Sequence, residues 1–252
     1  MYKPYRRPRK ILVLGATSSI AMSFSRLLAA EDAHYFLVAR DEVKLDSVAL
    51  DLLARGAGSV VVHATDLDDT RSHPAMLNEA ASSLGEIDLA LVAHGVLGVQ
   101  QDAQADYAAA NAVLATNFLS PVSLVTWLAN HFEGARKGTL AVISSVAGDR
   151  GRKSNYVYGA SKGGLNVFLD GVRNRIDRAG VQVLTVRPGF VATPMTAHLP
   201  KGPLFATPAK VAQGILRAVR KRKDVAYVPG FWAGIMFVIR SIPEAIFKNL
   251  DL

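Results

Sequence analysis

Tyr158 and Lys162 stand four residues apart in Tyr158-Gly159-Ala160-Ser161-Lys162. If that segment is helical they lie one turn apart on one face, and the ammonium can sit beneath the phenol. A phenol that protonates a ketone oxygen near neutral pH needs its ordinary pKa of about 10 lowered, and a fixed cation favours the phenolate. Ser145 precedes Tyr158 by thirteen residues and ends the apolar run 138–143, so its hydroxyl can aim at the same oxygen. An isolated Tyr-x-x-x-Lys is more often a surface pair, and context must decide. Tyr156 is a decoy, because Ala160 follows it at that spacing.

Parallel strands with crossover helices would position these groups. Ile11-Leu12-Val13-Leu14 is a continuous apolar run of the kind buried on both faces. Gly15-Ala16-Thr17-Ser18-Ser19-Ile20-Ala21 and a helical pattern through Ala30 follow. Strand, small-residue turn and helix form a dinucleotide-binding arrangement, in which N–H groups at the helix start receive a pyrophosphate. Hydroxyls of Thr17, Ser18 and Ser19 can add to that cradle; the plainer reading is a tight turn with no ligand. A second strand, Tyr35 to Ala39, ends at Arg40-Asp41. An arginine there accommodates the 2′-phosphate of NADP, whereas an acidic residue favours NAD. Arg40 tips the reading to NADP, with NAD kept open because Asp41 either repels that phosphate or caps the helix from Glu42.

Further strands are expected at Val60–Ala64, leading to Asp66, at Asp88–Val92, leading to Ala93-His94-Gly95, and at Val181–Val186. Residues 104–132 read as a long helical stretch, in which Asn117 is a costly choice and Pro121 agrees with an interruption or kink. His63, His73 and His94 read as structural residues, and Asp66 on its own reads as a turn cap.

Taken together, the chain resembles the short-chain dehydrogenase/reductase family over nearly its whole length. The resemblance rests on Ser145, Tyr158 and Lys162, Asn117 in a helix, and Pro188-Gly189 with Thr193 four residues on. It implies a single α/β, Rossmann-type doubly wound domain whose mostly parallel sheet has seven strands flanked by helices. It implies that Asn117, Ser145, Tyr158 and Lys162 are catalytic, with the Asn117 main chain bending its helix and holding a water near the lysine. For the cofactor it implies Gly15, Ile20, Asp66 and Leu67 beside the adenine half, and Ala93 and Gly95 at the fourth strand's end. Pro188, Gly189, Val191 and Thr193 would close over the nicotinamide, with Met195 to Leu204 as a substrate lid. Two departures stand out. Ser19 and Ala21 replace glycines, and Val92-Ala93-His94-Gly95 replaces Asn-Asn-Ala-Gly, so apolar packing is expected to substitute for the asparagines' hydrogen bonds.

Composition narrows the function further. Without cysteines there is neither a disulfide framework nor a Cys-based zinc site, and no His-x-x-x-His pair suggests a metal. The net charge of +8 implies an anionic partner. Its basic clusters, residues 3–10 and 217–223, lack the interleaved aromatics of a nucleic-acid surface. Residues 1–10 read as a basic tail, 11–228 as the catalytic domain and 229–252 as an apolar extension. That extension suits an interfacial helix on an anionic bilayer as well as it suits the core or an oligomer interface. No run reaches 18 apolar residues, and with no export signal evident the protein is expected in the cytoplasm, peripheral on the inner face of the cell membrane. The expected activity is NADP-dependent reduction of a ketone to a secondary alcohol, by a homo-dimer or homo-tetramer as the family implies. Several stretches, among them 147–152, 195–199 and 239–243, resemble family members that reduce polyprenylphosphoryl 2-keto-pentoses. Arg150, Arg152 or Lys153 would then meet the phosphate. Reduction of another lipid or a small ketone, or an idle NADP-binding scaffold, are the alternatives.

Overall fold

The computed structural model describes residues 7–30 and 32–250. Seven strands form one sheet: β1 (Lys10–Leu14), β2 (His34–Ala39), β3 (Ser59–Ala64), β4 (Leu89–Val92), β5 (Thr139–Ile143), β6 (Gln182–Pro188) and β7 (Val225–Val228). Every pairing is parallel, in the order β3-β2-β1-β4-β5-β6-β7. The order reverses between β1 and β4, which opens a crevice at the carboxyl ends of those strands. Continuous apolar runs follow from the layering. Ile11 and Val13 face one core layer and Leu12 and Leu14 the other, so none of positions 11–14 is left for a polar residue.

Helices α1 (Ser19–Ala29), α2 (Glu42–Ala54) and α8 (Pro208–Arg220) cover one face; α3 (His73–Leu84), α6 (Ser120–Ala135) and α7 (Tyr156–Ile176) cover the other. The long helical stretch, expected to bend at Asn117 and to be interrupted or kinked near Pro121, is broken there. It comprises α4 (Gln100–Ala105), α5 (Tyr107–Leu114), a π-helical turn over Ala115–Leu119, and then α6. Pro121 sits in the first turn of α6, directly after the π turn around Asn117, so both residues fall at the same irregularity. Residues Tyr107–Ala135 are long and apolar enough to cross a membrane, with mean hydropathy 1.5. Here they are a core element: Leu124, Val125, Leu128, Ala129 and Phe132 are fully buried beneath the sheet.

Beyond β7 the chain folds back as α9 (Trp232–Ser241) and α10 (Glu244–Phe247). Trp232 and Met236 are buried against Val146, with Tyr227, Ile235 and Ile239 packed around them. The opposite side of α9 exposes Phe237 and Val238, at 74% and 61%. The extension therefore packs on the core by one face only. The cluster at residues 217–223 does not flank it. Arg222 donates to Gly180 O, and Gln182, at the start of β6, donates to Lys223 O. These contacts put the cluster at the amino edge of the sheet, while α9 begins at the carboxyl edge. Lys10 opens β1 at that same amino edge, and residues 3–6 of the other basic cluster lie outside the described residues.

Gly189 marks where the extension meets the sheet. A Cβ there would lie 1.9 Å from Trp232 Cε2, so Gly189→Ala should displace the indole. We expect about 1 to 3 kcal/mol of lost stability. A red-shifted tryptophan emission should accompany it. Gly202→Ala, with nothing within 4 Å of the added atom, should change neither thermal midpoint nor emission.

Candidate active site

The first turn of the crevice depends on Gly15. Its φ of +86° suits glycine, and a Cβ would lie 2.5 Å from His94 N, so a side chain would push β1 and β4 apart at their carboxyl ends. Gly15 N and Ala16 N both donate to Val38 O, fixing the turn on β2. Ser18, before α1, makes no side-chain cap, and the first turn of α1 holds no acidic residue. The positive end of this 11-residue helix, with Thr17, Ser18 and Ser19 around it, suits a phosphate. Ile20 turns its side chain into the core, leaving its main chain for any ligand contact.

At the end of β2 the Asp41 carboxylate accepts from Lys44 N at 3.1 Å and pairs with Lys44 Nζ at 2.8 Å. The hydrogen bonds from Lys44 hold its pKa below the usual carboxylate value. Asp41 is thus the cap of α2, and its charge is turned toward that helix. Arg40 stays 67% exposed, its Nη1 3.8 Å from Asp66 Oδ2. Asp66 Oδ1 also accepts from Asp68 N at 3.0 Å, which is the turn cap of its plain reading. Leu67 is buried, and its carbonyl accepts bonds from Ser120 and His73.

The end of β4 corrects the expectation of apolar packing. Ala93 N donates to Leu14 O at 2.8 Å, and the following ties are polar. His94 Nε2 bonds Ser120 Oγ at 2.9 Å, and Ser120 in turn donates to Leu67 O. His94 and Ser120 thus do what the asparagines were expected to do. Burial, assisted by the Lys162 charge, pushes the His94 pKa down to about 3, so the imidazole is neutral and structural. Ser120 escaped sequence reasoning because it falls inside the stretch read as helical, where nothing local marks a serine as a tie to another strand.

Asn117 is fully buried in the π turn. Its amide clips one residue twice, accepting from Val96 N at 3.0 Å and donating to Val96 O at 2.7 Å. Gly95 lies under this clip. A Cβ on it would stand 2.7 Å from Asn117 Oδ1 and 3.5 Å from Lys162 Nζ, so Asn117, Gly95 and Lys162 are neighbours.

Ser145 follows β5 and begins a 3-10 turn over Val146–Asp149, where its Oγ accepts from Ala147 N at 3.1 Å. That hydroxyl also faces the Tyr158 phenol and works to lower its pKa. Lys162 is 3% exposed; its Nζ donates to Ile143 O at 3.3 Å and lies 5.9 Å from the centroid of the Tyr158 ring. The helix and strand are locked by residues that sequence reasoning passed over. Ser144 Oγ donates to Asn166 Oδ1 at 2.7 Å, and a Cβ on Gly148 would sit 2.6 Å from the Lys162 carbonyl carbon. The turn can lie on α7 only because Gly148 is bare.

The electrostatics differ from the expected lowering of the phenol pKa by Lys162. Burial raises the Tyr158 pKa, and the Ser145 hydroxyl is the opposing influence. Burial also lowers the Lys162 pKa to about 8, so the ammonium persists at neutral pH without being strongly held there.

On the far side of the crevice, Val191 forms an isolated parallel bridge with Ala206. The bridge uses Ala192 N and Phe190 O, which leaves Val191 N out of it. Thr193 N donates to Thr196 Oγ1 at 3.3 Å, and Thr196 in turn donates to Val191 O. Pro188 is buried at the end of β6, and Gly189 N donates to Val228 O at 3.3 Å. The segment expected as a lid is surface chain, with Met195 and Leu204 40% and 41% exposed.

Of the three basic residues assigned to a substrate phosphate, Arg150 is otherwise engaged. Its Nη1 donates to Ile239 O and Ile242 O at 2.7 and 2.6 Å, its Nη2 meets Glu244 at 2.9 Å, and the guanidinium lies over Phe247. It fastens the end of α9. Arg152 is partly buried, and its Nε lacks a hydrogen-bond partner.

A family model described as short chain dehydrogenase matches residues 9–203. The chain belongs to the short chain dehydrogenase family. An uncharacterized oxidoreductase of Mycobacterium tuberculosis is 36% identical over 240 residues, 95% of this chain and 96% of that one. A ketoacyl reductase of Nostoc is 28% identical over 219 residues, 85% of this chain and 76% of the other. Among solved structures, a short-chain dehydrogenase from Sphingobium yanoikuyae in complex with NADPH shares the fold. Its TM-score is 0.78 at 21% identity, with 93% of this chain and 96% of that one covered. The chain is thus a short chain dehydrogenase by sequence and by fold, and an oxidoreductase by family.

Proposed function

We propose that this short chain dehydrogenase reduces a ketone to a secondary alcohol with NADPH. The observation that carries the reading is the convergence of the Ser145 hydroxyl, the Tyr158 phenol and the buried Lys162 ammonium at the carboxyl ends of β4 and β5. The residues present fit the cofactor. The turn at Gly15, the uncapped start of α1, the bare Gly95 beside Lys162 and the Val191 N–H outside its bridge would hold it. NADPH, when bound, supplies the hydride. Ser145 polarises the carbonyl oxygen, and Tyr158 gives it a proton. Lys162 holds the nicotinamide ribose and stabilises the phenolate that remains. Asn117, buried beside that ammonium and fixed on Val96, keeps the π turn in the shape that borders the proton path.

Exposed Arg40 supports NADPH over NADH, because Asp41 is turned toward Lys44 and so faces away from a 2′-phosphate. The NADPH-bound structural neighbour and the Nostoc ketoacyl reductase agree with that cofactor and that reaction. For the substrate we favour a lipid-linked sugar ketone of the polyprenylphosphoryl 2-keto-pentose kind, met at an anionic membrane surface by a homo-oligomer. Support comes from the unpaired apolar side of α9, where Phe231, Phe237 and Val238 are exposed near the crevice mouth, and from Arg152. With Arg150 engaged and residues 217–223 on the opposite edge, that support is narrower than the sequence promised.

NADPH oxidation on a panel of ketones, with a polyprenyl-phosphate keto-sugar presented in anionic vesicles, tests the reaction and the substrate together. We expect turnover of the lipid-linked ketone, co-sedimentation with the vesicles, and a loss of about a hundredfold or more in Tyr158→Phe with NADPH affinity within twofold. Tyr158→Phe activity within a few-fold of wild type would remove the catalytic assignment. Turnover of small ketones alone, with the protein left in the supernatant, would remove the lipid. In a separate titration NADPH should bind more tightly than NADH, and Arg40→Ala should erase the difference. Equal affinities in the unaltered protein contradict the role of Arg40.

A further inference from the structure

Asp149, the last residue of the 3-10 turn that Ser145 begins, has a side chain only 1% exposed. Its two oxygens are separately engaged. Oδ1 accepts from Arg187 Nη1 at 3.0 Å and Oδ2 from the Tyr227 hydroxyl at 2.7 Å. Arg187 Nη1 also donates to that hydroxyl at 3.1 Å, closing a three-membered ring of hydrogen bonds. Arg187 and Tyr227 are direct neighbours across β6 and β7, with the guanidinium 5.6 Å from the ring centroid. Arg152 also faces Asp149 electrostatically.

A buried ion pair of this kind is a weak source of stability, because the cost of removing both charges from water offsets most of their attraction. This one is also imperfect: Arg187 is 12% exposed and its Nε has no partner. Its distinguishing property is its position. Asp149 lies four residues after Ser145, and Arg187 lies two before Gly189 and four before Val191. The ring therefore spans the two strand ends that carry the carbonyl-facing hydroxyl and the nicotinamide-facing loop. Neighbouring Arg150 holds the same turn from outside, through its bonds to the end of α9.

We propose that Asp149, Arg187 and Tyr227 are positioning residues for the reaction, holding the Ser145 turn in register with the Gly189–Val191 loop. The inference rests on the proposed NADPH chemistry, and its test has a readout that does not need turnover. Affinities are measured by calorimetry for NADPH and for its adenylate half, 2′,5′-ADP, which reaches only the Gly15 and Arg40 side. In Asp149→Asn the NADPH dissociation constant should rise more than threefold while that of 2′,5′-ADP stays within twofold. With an accepted ketone, kcat per cofactor-binding site should fall tenfold or more. The double variant Asp149→Leu with Arg187→Met separates positioning from folding. It should regain the thermal midpoint, because no buried charge is left unpaired, without regaining either functional readout. If Asp149→Asn does not fold, Tyr227→Phe keeps the ion pair, and the same change in affinity ratio is expected at twofold or more. An unchanged ratio, a parallel rise in both dissociation constants, or a double variant with wild-type kcat would overturn the proposal. Should the unaltered protein reduce no ketone, the proposed reaction falls while the affinity ratio still decides the role of the ring.

Discussion

The structure depends on keeping a charged amine where water is excluded. Lys162 is 3% exposed, and its one hydrogen bond to protein recorded among the described residues, to Ile143 O, is long at 3.3 Å. Burial brings its pKa from 10.5 to about 8. The sign of the linkage follows. Between pH 8 and 10.5 the unfolded chain holds a proton that the folded chain has released, so stability rises with pH through that window. At neutral pH the buried ammonium costs roughly 3 kcal/mol. A fold that carries such a cost at one point must be firm around it.

The surroundings supply that firmness through close approach more than through ion pairs. Gly95 and Gly148 are bare where α7 and the Asn117 clip come nearest, and Ser144 ties β5 to Asn166 one turn beyond the lysine. His94 adds a neutral polar tie in place of a charged one. With its pKa near 3, it avoids placing a second cation beside Lys162. The same logic explains why burial dominates Tyr158. There the Ser145 hydroxyl is what moderates the phenol, while the ammonium lies 5.9 Å from the ring centroid.

Strands were legible in the sequence because burial on both faces leaves uninterrupted apolar runs, and the catalytic set was legible because a one-turn spacing constrains residue types. Asp41 could be read two ways, and its bond to Lys44 N chooses the cap. What stayed hidden depends on partners far along the chain. Arg150 looks like a phosphate ligand until Ile239 and Ile242, about ninety residues on, occupy it. The tie from His94 to Ser120 has no local period, since it is set by what the turn after β4 presents. The C-terminal extension was readable as apolar, but not as two-faced, because its buried side is defined by Val146 and Gly189.

The most direct test is the titration of the Lys162 ammonium itself, followed by NMR of side-chain-labelled lysine and assigned against Lys162→Met. The account predicts a resonance that titrates near pH 8, well apart from the remaining lysines. A midpoint near 10.5, the value of an exposed lysine, would contradict a buried amine at the centre of the site.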